Sequence, residues 1–492
     1  MPKFLLNYFE RHDLKFHLFT ALALGLLFRL IAAYFIYTPM ALDDLNHAWQ
    51  PVINLFWGTP MNLPPYRSPL LPYLLYGFIK IAYWMGFSYD PLFSIRVMNT
   101  GLAIISLLAI VGGYYYFKNK ENKLYGIVLM YMLALYAAMP YAATRSFGEA
   151  VAIPFLMLGF GLCIYGEQKN KIWLFAVGFF SIGIAVLFRY QVGLIYAAYT
   201  IFLLFKKDKR YFTAAILAGL AITALSISMD MLYGRYPMQT LMEYFIVNYK
   251  YDFGASKWYN FILLVFGLTL PPFCLVFIDK VKKVFLENIE VGICFLVFLA
   301  AHTITSHKEE RFMLPIVPLL LIFMSSLWVE KKDSKLVRYT FSPAFLIINT
   351  AFLLLVTTVP SQKGLIEPLV FANKKLSPEK GILLNIGISK WAYDSHLKRD
   401  IKRLDYSIKE SVSPAYLENI FRQTSNRDQI LIISEDPEKL SLIDGLDSSS
   451  LKCENIYYHT SVIDKILFKL NPKYNGRKKT TGSVFCVVPN NK

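Results

Sequence analysis

Charged residues are scarce in this chain. Asp, Glu, Lys and Arg make up 17% of its 492 residues, while 55% are hydrophobic and 16% aromatic. Soluble globular chains carry about 25% charged residues, so an ordinary soluble protein is excluded. Cysteine is also rare. Of the five, Cys163, Cys274 and Cys294 fall in apolar runs as small core residues, and none stands at a metal-ligand spacing. Cys453 and Cys486 could pair in an oxidising compartment, although Cys486 lies in an apolar run where a buried thiol is equally natural. There is no internal repeat and no low-complexity tract. No cleavable leader is expected, because the first apolar run, 16–37, is too long for one. Lys3, Arg11 and Lys15 ahead of it hold that end in the cytoplasm. The net charge of +17 could suggest a nucleic-acid partner. The Lys and Arg lie mainly in short loops between apolar runs and in the tail, so no nucleic acid is expected.

What the chain has in quantity is apolar runs of membrane-spanning length. They fall near 16–37, 69–87, 94–116, 124–142, 147–165, 172–188, 190–205, 211–229, 259–278, 289–305, 311–329 and 338–359. The loops 118–123, 169–171, 206–210, 280–283 and 331–338 are rich in Lys and Arg, so all five belong on the cytoplasmic face. With the N-terminus also inside, one run before residue 94 must fail to cross. The run 69–87 opens Arg67-Ser68-Pro69-Leu70-Leu71-Pro72 and carries Lys80, which predicts an interfacial or re-entrant helix there. Eleven crossings remain. The outer face then receives 38–66, 144–149, Arg189, 230–258, 307–311 and everything after 360. Short β-branched runs at 382–388, 429–434 and 483–488, separated by polar helical stretches such as 414–423, predict a small α/β domain in that tail. The tail has no Gly-rich phosphate loop, metal cluster or nucleophile elbow, so it reads as a scaffold or acceptor-recognition domain.

The outer-face polar residues form a short set. Ser306-His307-Lys308-Glu309-Glu310-Arg311-Phe312 places five ionisable side chains between two apolar runs, where charge is costly unless paired, hydrated or used. Leu42-Asp43-Asp44-Leu45-Asn46-His47-Ala48-Trp49-Gln50-Pro51 places two adjacent acids in the first outer loop. On a helix they point about 100° apart, so one can face a substrate while the other anchors. The His-Lys-Glu-Glu-Arg-Phe turn resembles the signature of the family 22 glycosyltransferases. These are polytopic mannosyltransferases that use dolichyl-phosphate-mannose in N-glycan precursor and GPI-anchor assembly. Asp43-Asp44 with Trp49-Gln50-Pro51 is similar to that family's Asp-Glu-x4-Trp-Glu-Pro stretch, with Asp for the first Glu and Gln for the second. Arg67-Ser68, Ser94-Ile95-Arg96, Thr144-Arg145-Ser146-Phe147-Gly148-Glu149 and Asp230-x-x-Tyr233-Gly234-Arg235 resemble further family elements, in family order along the membrane portion. The turn at 144–149 is shortened. Asp230 stands one residue closer to Tyr-Gly than usual, and Met242-Glu243 replaces the usual Asn-Phe.

The resemblance implies a GT-C fold, an all-α polytopic membrane protein of about eleven transmembrane helices. Residues 1–359 would form the catalytic membrane domain, with 38–93 as an outer loop carrying interfacial helices. Residues 360–492 would form the periplasmic or lumenal α/β domain. It implies inverting transfer of mannose or a related hexose from a polyprenyl- or dolichyl-phosphate carrier to a hydroxyl of a glycan or glycolipid, within membrane lipid. Asp43 or Asp44 would take the hydroxyl proton, with Asp43 favoured because the family has Asp there. His307, Lys308 and Arg311 would bind the donor phosphate, whose charge grows as the glycosidic bond breaks. Glu309 and Glu310 would hold those cations, and Arg67, Arg96, Arg145, Glu149, Arg189, Asp230 and Tyr233 would support the site. No cofactor and no metal are expected, since the donor has no pyrophosphate to neutralise. Two other readings stay open. A GT-C transferase could use glucose, aminoarabinose or another lipid-phosphate sugar. A transporter for a lipid-linked glycan ranks lower, because charges sit at helix ends and no repeat appears. The chain has no Asn-x-Ser/Thr site, which tilts the expected location to a bacterial inner membrane over the endoplasmic reticulum.

Overall fold

The computed structural model describes residues 3–250, 256–270, 273–305, 307–387, 393–406, 412–423, 427–472 and 475–489. Ser306 of the charged turn, residues 251–255 of the expected outer segment 230–258, and 271–272 of the run 259–278 lie outside them. By packing, the chain divides into two units. One comprises Met1–Tyr34, Asn62–Leu75 and Asn99–Thr358, the other Phe35–Met61, Tyr76–Met98 and Val359–Lys492. Most of the outer loop 38–93 therefore clusters with the tail, whereas the sequence reading counts it in the membrane domain.

Helix is present in each of the twelve apolar runs. Six helices are long and apolar enough to cross a membrane: Leu14–Phe35, Pro91–Phe117, Gly148–Gln168, Lys209–Leu232, Glu310–Glu330 and Val337–Lys375. The bent pair Cys274–Glu287 and Ile289–Ile304 would make a seventh. Leu70–Trp84, Leu124–Leu135, Ile172–Phe188 and Tyr190–Leu204 are apolar but shorter. Length and composition alone thus count fewer spans than the eleven expected, because breaks cut several runs. The run 259–278 is one case. Its helix stops at Leu268, Leu270 takes a left-handed φ of 58°, and two prolines follow in the sequence.

A second break explains a buried charge. The helix Leu124–Leu135 ends at Tyr136, four residues before Pro140, which has no N–H to return to the Tyr136 carbonyl. The break frees carbonyls at the helix C-terminus. Arg29, fully buried in the Leu14–Phe35 helix, donates to two of them, Leu133 O at 2.9 Å and Ala134 O at 3.0 Å. It also donates to Ser106 Oγ at 2.8 Å and Gly25 O at 3.0 Å. Asn349 clamps the other side of the break, accepting from Ala137 N and donating to Leu135 O, both at 2.9 Å. Elsewhere the helices approach through small residues. A Cβ on Gly161 would lie 2.1 Å from the Gly112 carbonyl oxygen, so the Leu108–Phe117 and Gly148–Gln168 helices meet backbone to backbone.

At one end of this unit the five basic loops are tied to each other. Lys120 and Lys283 share Glu287, Lys283 also pairs with Glu330 at 2.6 Å, and Lys331 pairs with Asp279 at 2.5 Å. Lys206 reaches Glu167 and Glu290, while Arg210 donates to Asn170 at 2.9 Å. The expected common face is thus a physical network of loops.

The second unit is built on a mixed sheet of strands β1 (Gly381–Ile386), β2 (Lys402–Tyr406), β3 (Gln429–Ser434), β4 (Lys452–Cys453), β5 (Tyr457–His459) and β6 (Thr481–Val487). The order is β2-β1-β3-β6-β4, with β5 also on β6. The β2-β1-β3 pairs are parallel and those of β6 antiparallel. The core is aliphatic: Ile382, Leu384, Ile430, Ile432 and Val484 pack on Leu417, Ile420 and Leu440. Cys453 and Cys486 face each other across β4 and β6 and form a disulfide. The helix Lys363–Lys375 is capped by buried Asp464, which accepts from Gln362 N at 2.9 Å and Lys363 N at 3.0 Å.

Candidate functional site

Five of the expected residues meet in the membrane unit, and the acid pair lies in the second unit. In the membrane unit, the cluster begins with a glycine. A Cβ on Gly148 would lie 2.2 Å from the Phe188 carbonyl oxygen, so glycine alone lets the start of the Gly148–Gln168 helix touch the end of Ile172–Phe188. That contact sets Glu149, in the first turn of one helix, against Arg189, at the C-cap of the other. Both helix dipoles favour the charges they carry. Arg189 Nη2 lies 3.1 Å from Glu149 Oε1, and both are buried. Arg311 approaches the same oxygen at 3.9 Å and pairs with Glu309 at 2.7 Å, while His307 Nε2 lies 3.0 Å from the other Glu309 oxygen. The guanidiniums of Arg189 and Arg311 stand 5.2 and 5.6 Å from the Phe312 ring centre. Five sequence-predicted residues therefore meet: Glu149, Arg189, His307, Glu309 and Arg311.

Two members of the turn point elsewhere. Lys308 and Glu310 line a separate cavity of about 350 Å³ with Asn260, Phe261 and Leu264. Lys308 Nζ donates to the Thr305 carbonyl and stands 5.8 Å from the Phe261 ring centre. Alternation along the extended backbone around Glu309 separates the set into two directions.

Tyr244 was not expected at this site. Its ring lies 5.7 Å from the Arg189 guanidinium, and its hydroxyl is buried without a hydrogen-bond partner among the described residues. Burial raises its pKa; Arg189, Arg67 and Arg311 oppose that, and Glu149 adds to it. Arg189, Arg67 and Arg311 are thus positive charges that bear on the Tyr244 hydroxyl, and Glu149 is a negative one. Buried guanidiniums beside a phenolic hydroxyl are donors suited to an anion. Arg145 is buried 4.4 Å from the Tyr141 ring centre.

Asp230 and Tyr233 do a different job. Asp230 accepts from the backbone N–H and hydroxyl of Thr240, and the Tyr233 hydroxyl accepts from Leu63 N at 3.2 Å. Arg235, which closes the same sequence element without an expected role, donates to the carbonyls of Leu63, Pro64 and Arg67 at 2.9–3.1 Å. Burial lowers the Arg235 pKa. Together these residues hold the segment that carries Arg67.

In the second unit, the helical run Leu42–Phe56 carries the acid pair. Asp44 is buried, and its Oδ2 accepts from Met40 N at 2.7 Å and Ala41 N at 3.2 Å. That carboxylate is engaged in closing the turn that starts the helix. Asp43 is 19% exposed in its side chain and lies 3.3 Å from His47 Nδ1, one turn along. The two neighbours thus differ in the way adjacent helix positions allow: one anchors and one is presented. Arg96 is half-buried on the helix Pro91–Ser106, whose first turn is capped by Asp90. Tyr37 feels its charge, but burial, Glu367 and Tyr457 outweigh it and push the Tyr37 pKa up. Among the described residues, no group of three or more His, Cys, Asp or Glu could hold a metal ion.

Residues 19–380 match the Alg9-like mannosyltransferase family. GPI mannosyltransferase 3 of Candida albicans is 22% identical over 380 residues, 74% of each chain. Mannosyltransferase APTG1 of Arabidopsis thaliana is 23% identical over 298 residues, 56% of this chain and 51% of that one. Among solved structures, ArnT from Cupriavidus metallidurans in the apo state superposes with a TM-score of 0.59 at 12% identity, covering 95% of this chain and 97% of that one. The same protein bound to undecaprenyl phosphate gives 0.56 at 11% identity, with the same coverage. At such identity the likeness speaks to fold. It is the GT-C fold that the sequence motifs imply, with several apolar helices and a small C-terminal sheet.

Proposed function

The chain belongs to the Alg9-like mannosyltransferase family, and on that premise we propose that it moves mannose or a related hexose, with inversion, from a polyprenyl- or dolichyl-phosphate carrier to a hydroxyl of a glycan or glycolipid. It is a multi-pass integral membrane glycosyltransferase. The observation that carries the donor class is the meeting of Arg189 and Arg311 with Glu149, Glu309 and His307 beside the Tyr244 ring, a set of donors suited to an anion. A lipid phosphate is such an anion, and the undecaprenyl phosphate in the solved ArnT relative supports the choice. In this reading Arg311 and His307 steady the phosphate, and Glu309 and Glu149 hold the cations. Lys308 serves from the neighbouring cavity. The leaving phosphate gains charge as the sugar–oxygen bond breaks, so cations fixed in advance in a poorly hydrated place lower that barrier.

Asp43 is the group we assign to the acceptor hydroxyl. It takes the proton as the new glycosidic oxygen bond forms, and His47 orients it. Asp44 keeps the turn closed. Both clusters are assigned to the outer face, in a bacterial inner membrane by preference, with the tail in the same compartment. The Cys453–Cys486 disulfide supports an oxidising side for that tail. The test is transfer by purified protein from synthetic polyprenyl-phosphate sugars to a lipid-linked glycan extract. Mannose transfer, with free polyprenyl phosphate released in equal amount, is the expected result. Turnover of the glucose or aminoarabinose donor in place of the mannose donor would replace the sugar assignment, and turnover of none would overturn the reading.

A further inference from the structure

The loop-and-tail unit contains a second feature that the transfer chemistry does not use. A cavity of about 260 Å³ opens between the end of the Leu42–Phe56 helical run and the start of β2, lined among others by Asn54, Trp57, Tyr89, Lys398, Arg399 and Arg403. Among the described residues its lining carries three cations and no carboxylate. Both walls are fixed. The helix ends in a paired turn, with Thr59 N donating to Asn54 O at 2.8 Å, Gly58 N to Leu55 O at 3.1 Å, and Gly58 at φ 71°. That turn sets Trp57 at the rim, packed 5.0 Å from the Tyr89 ring. On the other wall, His396 Nε2 lies 3.1 Å from Tyr37 O and its ring packs 5.3 Å from Trp49, while Lys398 N donates to Asn373 Oδ1 at 2.8 Å. Arg399 projects from this anchored segment with its guanidinium 5.5 Å from the Trp57 ring centre, which pre-sets its plane.

We propose that this cavity binds a phosphorylated sugar residue of the acceptor glycan; the acceptor part of this inference rests on the transferase reading above. Charge selects an anion, and Arg and Lys at these positions suit phosphate. Size selects something larger than the bare ion, because the cavity of about 260 Å³ has room well beyond one small anion. Trp57, at 41% exposure, and Tyr89 supply flat apolar surface with polar edges, which fits the two-sided character of a pyranose ring. Position links the cavity to the reaction. Asn54 and Asp43 lie on one continuous helical run, so the cavity sits about 16 Å along the axis from the presented carboxylate. That is the span of a short oligosaccharide, held by its phosphate at one end and offering its hydroxyl at the other.

The test uses full-length protein in phosphatidylcholine nanodiscs, titrated with mannose 6-phosphate by calorimetry and by Trp fluorescence. Saturable binding is expected, with mannose and inorganic phosphate each at least tenfold weaker. Arg399→Gln with Arg403→Gln should weaken it at least about tenfold, the worth of one charge-assisted hydrogen bond. Both residues are exposed, so the fold is not at risk. Trp57→Phe should abolish the fluorescence response. Asp43→Asn should bind as wild type does, which separates the cavity from the transfer step. If the wild type transfers no sugar yet binds mannose 6-phosphate in this pattern, the cavity stands as a sugar-phosphate site and the transferase reading falls. Absence of binding, equal affinity for inorganic phosphate, displacement by phosphatidylglycerol, or indifference to the double substitution would each overturn the proposal.

Discussion

Two regions of the membrane unit bury arginine and satisfy it in opposite ways. Around the helix break after Leu135, Arg29 spends its donors on neutral oxygens: three carbonyls and one hydroxyl. Around the 307–312 turn, Arg189 and Arg311 face carboxylates and aromatic rings, and Glu149 is shared between them. The first arrangement is closed, since the charge repairs a defect in the backbone. The second sets charge against charge and keeps the Tyr244 hydroxyl without a hydrogen-bond partner among the described residues. A buried guanidinium is thus structural or functional according to what its donors meet, and residue type alone does not separate the two.

The sharpest break of that comparison is Arg29→Ala. It leaves the Leu133 and Ala134 carbonyls without their donor in an apolar interior, at a cost of about 1–3 kcal/mol each. Loss of a monodisperse peak or a large fall in the detergent melting temperature is expected. Arg29→Lys should rescue little, because one ammonium cannot serve four spread acceptors. A stable, active Arg29→Ala protein would erase the distinction.

Arg311→Ala should do the reverse. Glu149 keeps Arg189 and Glu309 keeps His307, so the melting temperature should fall much less than in Arg29→Ala. Donor binding and kcat/KM should both fall, by about 10–10²-fold, because the phosphate is charged before and during bond breaking. A melting temperature lowered as far as in Arg29→Ala, with normal kinetics in surviving protein, would make the turn another structural site.

A smaller effect belongs to the tail, where Glu367 lies 3.3 Å from buried His459 and 3.1 Å from Lys363. Burial raises its pKa, but the hydrogen bonds with His459 and Lys363 outweigh that and hold it below the ordinary value. A depressed folded pKa means the contribution is complete above the unfolded value of about 4.3 and is lost as pH falls through the folded one. The melting temperature should be flat above about pH 5 and drop below pH 4. Glu367→Gln should flatten the drop, and an unchanged acid limb would refute the pairing.

The sequence carried much of this. Hydropathy placed every apolar helix, and the charged turn and acid pair stood out as polar residues in costly places. β-branched runs located β1, β3 and β6. What escaped the sequence depends on contacts between distant residues. Nothing near Arg29 signals that a helix break a hundred residues on will supply its acceptors. Tyr244 becomes a site neighbour, and Arg235 finds its carbonyls, only through folding, and Lys308 parts from Arg311 through the turn's own geometry. The clustering of the outer loop with the tail is likewise a packing result with no local signal. The difference between Asp43 and Asp44 was half legible: helix geometry required them to diverge, but the backbone amides that claim Asp44 appear only in the folded turn.

That difference gives the most direct measurement: sugar transfer by Asp43→Asn and Asp44→Asn, side by side, with donor binding measured on the same samples. Asn keeps the size of Asp but cannot take the hydroxyl proton. Asp43→Asn should therefore lose about 10²–10⁴-fold in turnover while binding donor as the wild type does. Asp44→Asn retains an oxygen for the Met40 and Ala41 amides, so it should show a smaller loss together with a shift in acceptor affinity. Near wild-type turnover in Asp43→Asn would contradict the assignment of this loop to the reaction.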